Sequence, residues 1–139
     1  MRLSRPGSLI WLGPSEKRAI FCAALIHREV LRRLNAVGQI DWSRGVVDSS
    51  HIRVPQGGLA GPSPVERAST GSKHHLLVDA AGVPLAVTLT GGNRNDITQL
   101  LPLIDGIMPV SGKVGRPRQR PDRIVADRGY DHDSYRCEL

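Results

Sequence analysis

Apolar residues recur at helical spacing from residue 15 onward. Ile20, Ala23, Ala24, His27, Val30, Leu31 and Leu34 fall on one face. Ser15 is a candidate N-cap, and Gly38 stops the helix just after Val37. Arg28, Arg32 and Arg33 lie largely on the other side, which reads either as a basic helix tracking a DNA backbone or as a solvated face. His27, on the apolar side, is expected to be a satisfied core histidine. The period then changes. In residues 40–54, Val46 and Val47 precede Asp48 while Ile52 and Val54 follow it, which predicts a short buried strand with one carboxylate in its middle. Residues 55–64 are too rich in Gly and Pro for regular structure. Residues 73–79 and 83–90, separated by Ala80-Ala81-Gly82, predict a hairpin. Gly91-Gly92-Asn93-Arg94-Asn95 makes a tight loop. Asp96 is then a candidate N-cap for a helix through Ile107 that Pro102 should disturb. A second strand, 123–126, delivers Asp127, and a short final helix starts at His132 or Asp133. Residues 1–14 carry no periodicity and are expected to form a loose arm ahead of one domain over 15–139.

Composition narrows this picture. A chain of 139 residues is one domain or part of one. An apolar fraction of 40% with only 4% aromatics implies a modest core of Val, Leu, Ile and Ala. The formal charge of +6 favours an anionic partner, nucleic acid first. Most of the cations are Arg, which suits bidentate phosphate contacts but also follows from a GC-rich genome. Lys113, Arg116, Arg118 and Arg120 stand in a segment without acidic residues. It reads as a flexible loop for sequence-independent phosphate contact, or as a solvated linker. Arg53, Arg67 and Lys73 surround the Gly/Pro loop, which either closes over a DNA backbone or is disordered. Cys22 and Cys137 have no CxxC partner and fit a reducing cytoplasm without disulfide or zinc. No apolar run approaches membrane-spanning length. Pro6 and Gly13 break the N-terminal apolar stretch, so export is not expected.

Asp48 is the first candidate for chemistry. It reads either as a turn Asp ending a short strand or as a carboxylate held on a rigid strand for a hard cation. Asp127 repeats the pattern, and two strands that each present an Asp suggest one shared site. His74 and His75 point to opposite faces of a strand and cannot jointly grip a metal. Asp79 is expected to serve the hairpin turn. No P-loop, GxSxG, HExxH or Rossmann fingerprint occurs.

The order of elements, together with a string of local motifs, carries a family resemblance. Ile40-Asp41-Trp42-Ser43, Val47-Asp48-Ser49-Ser50, Gly71-Ser72-Lys73-His74-His75-Leu76, Gly91-Gly92-Asn93-Arg94-Asn95-Asp96 and Ala126-Asp127-Arg128-Gly129-Tyr130-Asp131 occur in sequence. The chain resembles DDE transposases of bacterial insertion sequences, in the IS-four/IS-five-like group, over roughly residues 20 to 139. The resemblance implies an α/β fold: a ribonuclease-H-like mixed sheet with flanking helices, incomplete at the C-terminus. It implies that Asp48 and Asp127 are the first two acids of the triad and hold Mg²⁺ or Mn²⁺ for strand cleavage and strand transfer at insertion-sequence ends. It also implies DNA as partner and permits a homo-oligomer. Arg53, Lys73, Lys113, Arg116, Arg118, Arg120 and Arg128 are the candidate DNA contacts. The family's third acid is a Glu on a helix well beyond the D-x-G-Y-D motif, and Glu138 stands too close to Asp131 to be that residue. The alternative expectation is a catalytically inactive DNA-binding or regulatory remnant.

Overall fold

A computed structural model describes residues 14–53, 61–62, 70–127 and 130. The loose arm expected at the N-terminus, apart from Pro14, lies outside them. So do Val54, most of the Gly/Pro loop, Arg67, Arg128 and the expected final helix.

The first helix, α1, spans Pro14–Ala36. It ends as the sequence predicts. Gly38 adopts φ +74°, a conformation that disfavours side chains. Gly38 N donates to Asn35 O and Gln39 N to Leu34 O, the pair of bonds that closes a Schellman motif. Only the last turns of the expected apolar face are packed. Leu31 is fully buried and Leu34 packs against the core, whereas Ile20 and Val30 remain exposed. The first half of α1 instead borders an apolar cleft of about 590 Å³ that Leu76, Pro84 and Val87 line from the sheet side. His27 is satisfied there, 2.8 Å from Pro84 O. Arg32 and Arg33 both pair with Glu29 at 2.8 Å. Their bonds hold the Glu29 carboxyl down at about 2.

The strands are β1 (Gly45–Arg53), β2 (Gly61–Pro62), β3 (Thr70–Asp79), β4 (Pro84–Gly91) and β5 (Ile124–Ala126). A second helix, α2 (Ile97–Asp105), lies between β4 and β5. β1 pairs antiparallel with β3 along its whole length, and β3 pairs antiparallel with β4. β2 adds a short rung opposite Thr70 and Gly71, on the edge of β3 that β1 leaves open. It was invisible in the Gly/Pro loop, where pattern reading finds no strand. β5 returns parallel to β1 on the far side from β3. An antiparallel meander followed by a helix and a parallel strand against β1 is the ribonuclease-H-like arrangement.

One sheet face is the core face. Val47, Leu77 and Ala86 meet Leu100, Leu103 and Ile104 of α2, with Ile40, Trp42, Ile107 and Val110 closing the sides. The opposite face carries Asp48 and Ser50 on β1, Leu76 on β3 and Val87 and Leu89 on β4, all exposed or half-exposed. β1 is therefore buried on one face only, a correction to the buried strand that its β-formers predict.

The β3–β4 hairpin owes its turn to Asp79. Its carboxylate accepts from Ala81 N at 2.9 Å, Val83 N at 2.7 Å and Asp41 N at 2.8 Å. The expected turn role holds, with an added tie to the segment before β1. The expected cap at Asp96 does not hold: its side chain makes no cap bond. Asn95 takes that place, accepting from Ile97 N at 3.4 Å through its side chain and from Thr98 through its carbonyl.

Candidate active site

β1 positions Asp48 near its midpoint, opposite Leu76 of β3. The strand continues for five residues to Arg53, so Asp48 does not end a strand and the turn reading fails. The last pairing between β1 and β5 is Val47 with Ala126. One residue further along are Asp48, still within β1, and Asp127, just past the end of β5. Alternation puts both on the face opposite the core, since Val47 and Ala126 pack against it. Both side chains are exposed. Asp48 Oδ1 accepts from Ser49 N at 2.7 Å.

A second group of polar residues sits on the core face beneath this pair. His75 is fully buried on β3. Its Nε2 is 2.9 Å from Thr90 Oγ1, and its Nδ1 faces Tyr130 Oη at 3.5 Å and Asp96 Oδ1 at 3.7 Å. A neutral ring with its proton on Nδ1 suits these neighbours, because Nε2 then accepts from the threonine hydroxyl. Burial holds the His75 pKa below the usual histidine range, against the pull of Asp96. Asp96 is paired with the buried Lys73 at 2.7 Å. Lys73 Nζ also reaches Arg94 O at 3.4 Å. Burial raises the Tyr130 phenol above its ordinary range, and the carboxylates of Asp96, Asp48 and Asp127 add to that rise. Sequence pattern assigned Asp96 to a helix cap and gave Thr90 and Ser49 no role. The only signal was the spacing of polar residues on a strand face that should be apolar, at Lys73, His75 and Thr90.

The candidate DNA contacts separate into groups. Lys73 is a correction: it is buried and engaged with Asp96, because it falls on the core face of β3. Arg118 pairs with Asp122 and lies 5.6 Å over the Trp42 ring, and Arg120 pairs with Asp105 at 2.7 Å. Lys113 and Arg116 are exposed and form no ion pair among the described residues. Arg53 closes β1 opposite Gly71. Arg128 lies outside the described residues. The segment expected to be flexible is pinned: Val110 and Arg118 exchange backbone bonds, and Asn35 Nδ2 donates to Ser111 O at 2.9 Å. It feeds the start of β5, so it lies at the opposite end of that strand from Asp127.

Two carboxylates, one within β1 and one directly after β5, fit a hard divalent cation by donor chemistry. Among the described residues no group of three or more His, Cys, Asp or Glu side chains could hold a metal. No helix among them is long and apolar enough to cross a membrane.

A family model described as the transposase DDE domain matches residues 42–139, which include both aspartates and every strand. The chain belongs to this transposase DDE-domain family. It is 53% identical over 96 residues to a Burkholderia cepacia protein whose curated name is "Putative transposase for insertion sequence element IS402". That match covers 69% of this chain and 44% of the relative, so the chain spans less than half of the relative's length. No solved structure matches the chain.

Proposed function

We propose that this chain carries the carboxylate pair of a DNA transposase acting at insertion-sequence ends. The observation behind this reading is the register of β5 on β1, whose last pair, Val47 with Ala126, immediately precedes Asp48 and Asp127. Asp48 and Asp127 would hold Mg²⁺ or Mn²⁺. A bound divalent ion supplies Lewis-acid stabilisation of the phosphodiester oxygens during strand cleavage and transfer. The chain's own contribution is to hold Asp48 within β1 and Asp127 directly after the paired end of β5, where the strand ladder anchors the backbone. Lys113 and Arg116 are free to neutralise backbone phosphates, and Arg53 and Arg128 are assigned the same role.

The test is incubation of the chain with a supercoiled plasmid bearing an insertion-sequence end. Nicking that requires Mg²⁺ or Mn²⁺, and that Asp48→Asn and Asp127→Asn each reduce by at least about 100-fold, is the expected result. Lys113 and Arg116 favour one alternative, a DNA-binding or regulatory module. Metal-independent, salt-sensitive binding that Asp48→Asn leaves unchanged, without nicking by the parent chain, would select it.

A further inference from the structure

Tyr130 touches both aspartates' neighbourhoods from below. It lies one turn beyond Asp127, and its backbone N donates to Asp127 O at 2.9 Å. Its side chain is buried, with its hydroxyl 3.5 Å from His75 Nδ1 and within hydrogen-bonding reach of the Ser49 side chain. Ser49 N in turn holds Asp48 Oδ1. The tyrosine therefore joins the end of β5 to the middle of β1 just past Val47 and Ala126, where their ladder stops. Alternation along β1 puts Ser49 on the core face and Asp48 on the open face. The link thus crosses the sheet without occupying the space above the carboxylates.

We propose that Tyr130 is a positioning residue that sets the spacing of Asp48 and Asp127 from beneath the sheet, with His75, Asp96 and Lys73 as its support. The proposal rests on reading the two aspartates as a metal site. β5 contributes only three paired residues. So short a ladder leaves the end of β5 weakly held by backbone bonds alone. A hydroxyl tied to Ser49 adds a cross-link where that ladder ends. The buried Lys73–Asp96 pair and the His75–Thr90 contact keep the ring's surroundings in one arrangement, as outer hydrogen bonds do around metal ligands.

Mn²⁺ binding by the full chain, followed by electron paramagnetic resonance, tests this together with thermal melting. Tyr130→Phe removes only the hydroxyl, and Ser49→Ala removes its partner while keeping the amide that holds Asp48. Each should weaken Mn²⁺ binding by about 10-fold with a melt that stays cooperative. The double variant should be no weaker than either single one, since both cut the same link. Binding by Tyr130→Phe equal to the parent, or losses that multiply in the double variant, overturns the inference. Asp48→Asn separates the two levels. If it abolishes Mn²⁺ binding while Tyr130→Phe changes nothing, the positioning role alone fails. If Asp48→Asn has no effect, the metal-site reading falls, and the inference with it.

Discussion

His75 titrates against its surroundings. Asp96 favours its charged form, while burial and the nearby Lys73, His51 and His74 oppose it, and burial prevails. Tyr130, the other group at its ring, is neutral near pH 7. In the unfolded chain the histidine takes up a proton near pH 6.5; in the folded chain it does so only at lower pH. Between those limits the unfolded state binds more protons, so stability rises with pH there. The contribution is complete above about pH 6.5 and falls as the pH drops toward the folded-state value. Melting temperatures from pH 7.5 to 5 should decline, and His75→Gln should flatten that decline, whatever its effect at pH 7.5. An equal slope in the variant would remove His75 as the source. Asp79 gives a second residue-level expectation. Asp79→Asn replaces one accepting oxygen by an NH₂ facing a backbone donor, which should cost about 1–3 kcal/mol in urea melts.

At the scale of elements, the loop from α2 to β5 determines how β5 enters the sheet. It is held by the Val110–Arg118 bridge, by Asp122 N on Trp42 O at 2.8 Å and by Gly112 against α1. Gly112 has φ +113°, and a Cβ there would collide with Arg32 O. Gly112→Ala should therefore destabilise the chain by about 1–3 kcal/mol and loosen β5. Exchange of the Gly45 amide, which donates to Arg123 O at 2.7 Å, reports this directly. Protection of that amide unchanged by the substitution would mean that β5 holds its place without the loop. The loop also shows why an Arg-rich segment is not by that fact a DNA-binding surface: Arg118 and Arg120 are engaged with the carboxylates of Asp122 and Asp105, on either side of the segment.

For the whole molecule, the sheet face around Asp48 matters most. Ile52, Leu76, Val87, Leu89 and Val125 on this face are between 38% and 61% exposed, an apolar surface that favours association. Light scattering should show concentration-dependent self-association that Val87→Lys with Leu89→Lys reduces. A parent chain that stays monomeric at high concentration would contradict this. DNA binding belongs to the same scale. If Arg116 contacts phosphate, Arg116→Ala should lower the salt slope of binding by about one. An unchanged slope would place the DNA elsewhere.

Local sequence pattern marks the helices and the longer strands, though not β2, and singles out Asp48 and Asp127 as candidates. Helical spacing into Gly38, β-formers around Asp48 and the Ala80-Ala81-Gly82 turn are local signals, and local backbone preference answers to them. Only the tertiary structure decided which faces of those elements matter. Period-2 alternation says that Lys73 and His75 share a strand face with Leu77, but not that the face is the core. Nor does it say that Asp96, from a loop some twenty residues away, arrives to neutralise Lys73. The pairing of β5 with β1 is also non-local, since parallel strands share no turn that would set their register. That register ends at Val47 and Ala126, immediately before Asp48 and Asp127, with Tyr130 buried on the core side.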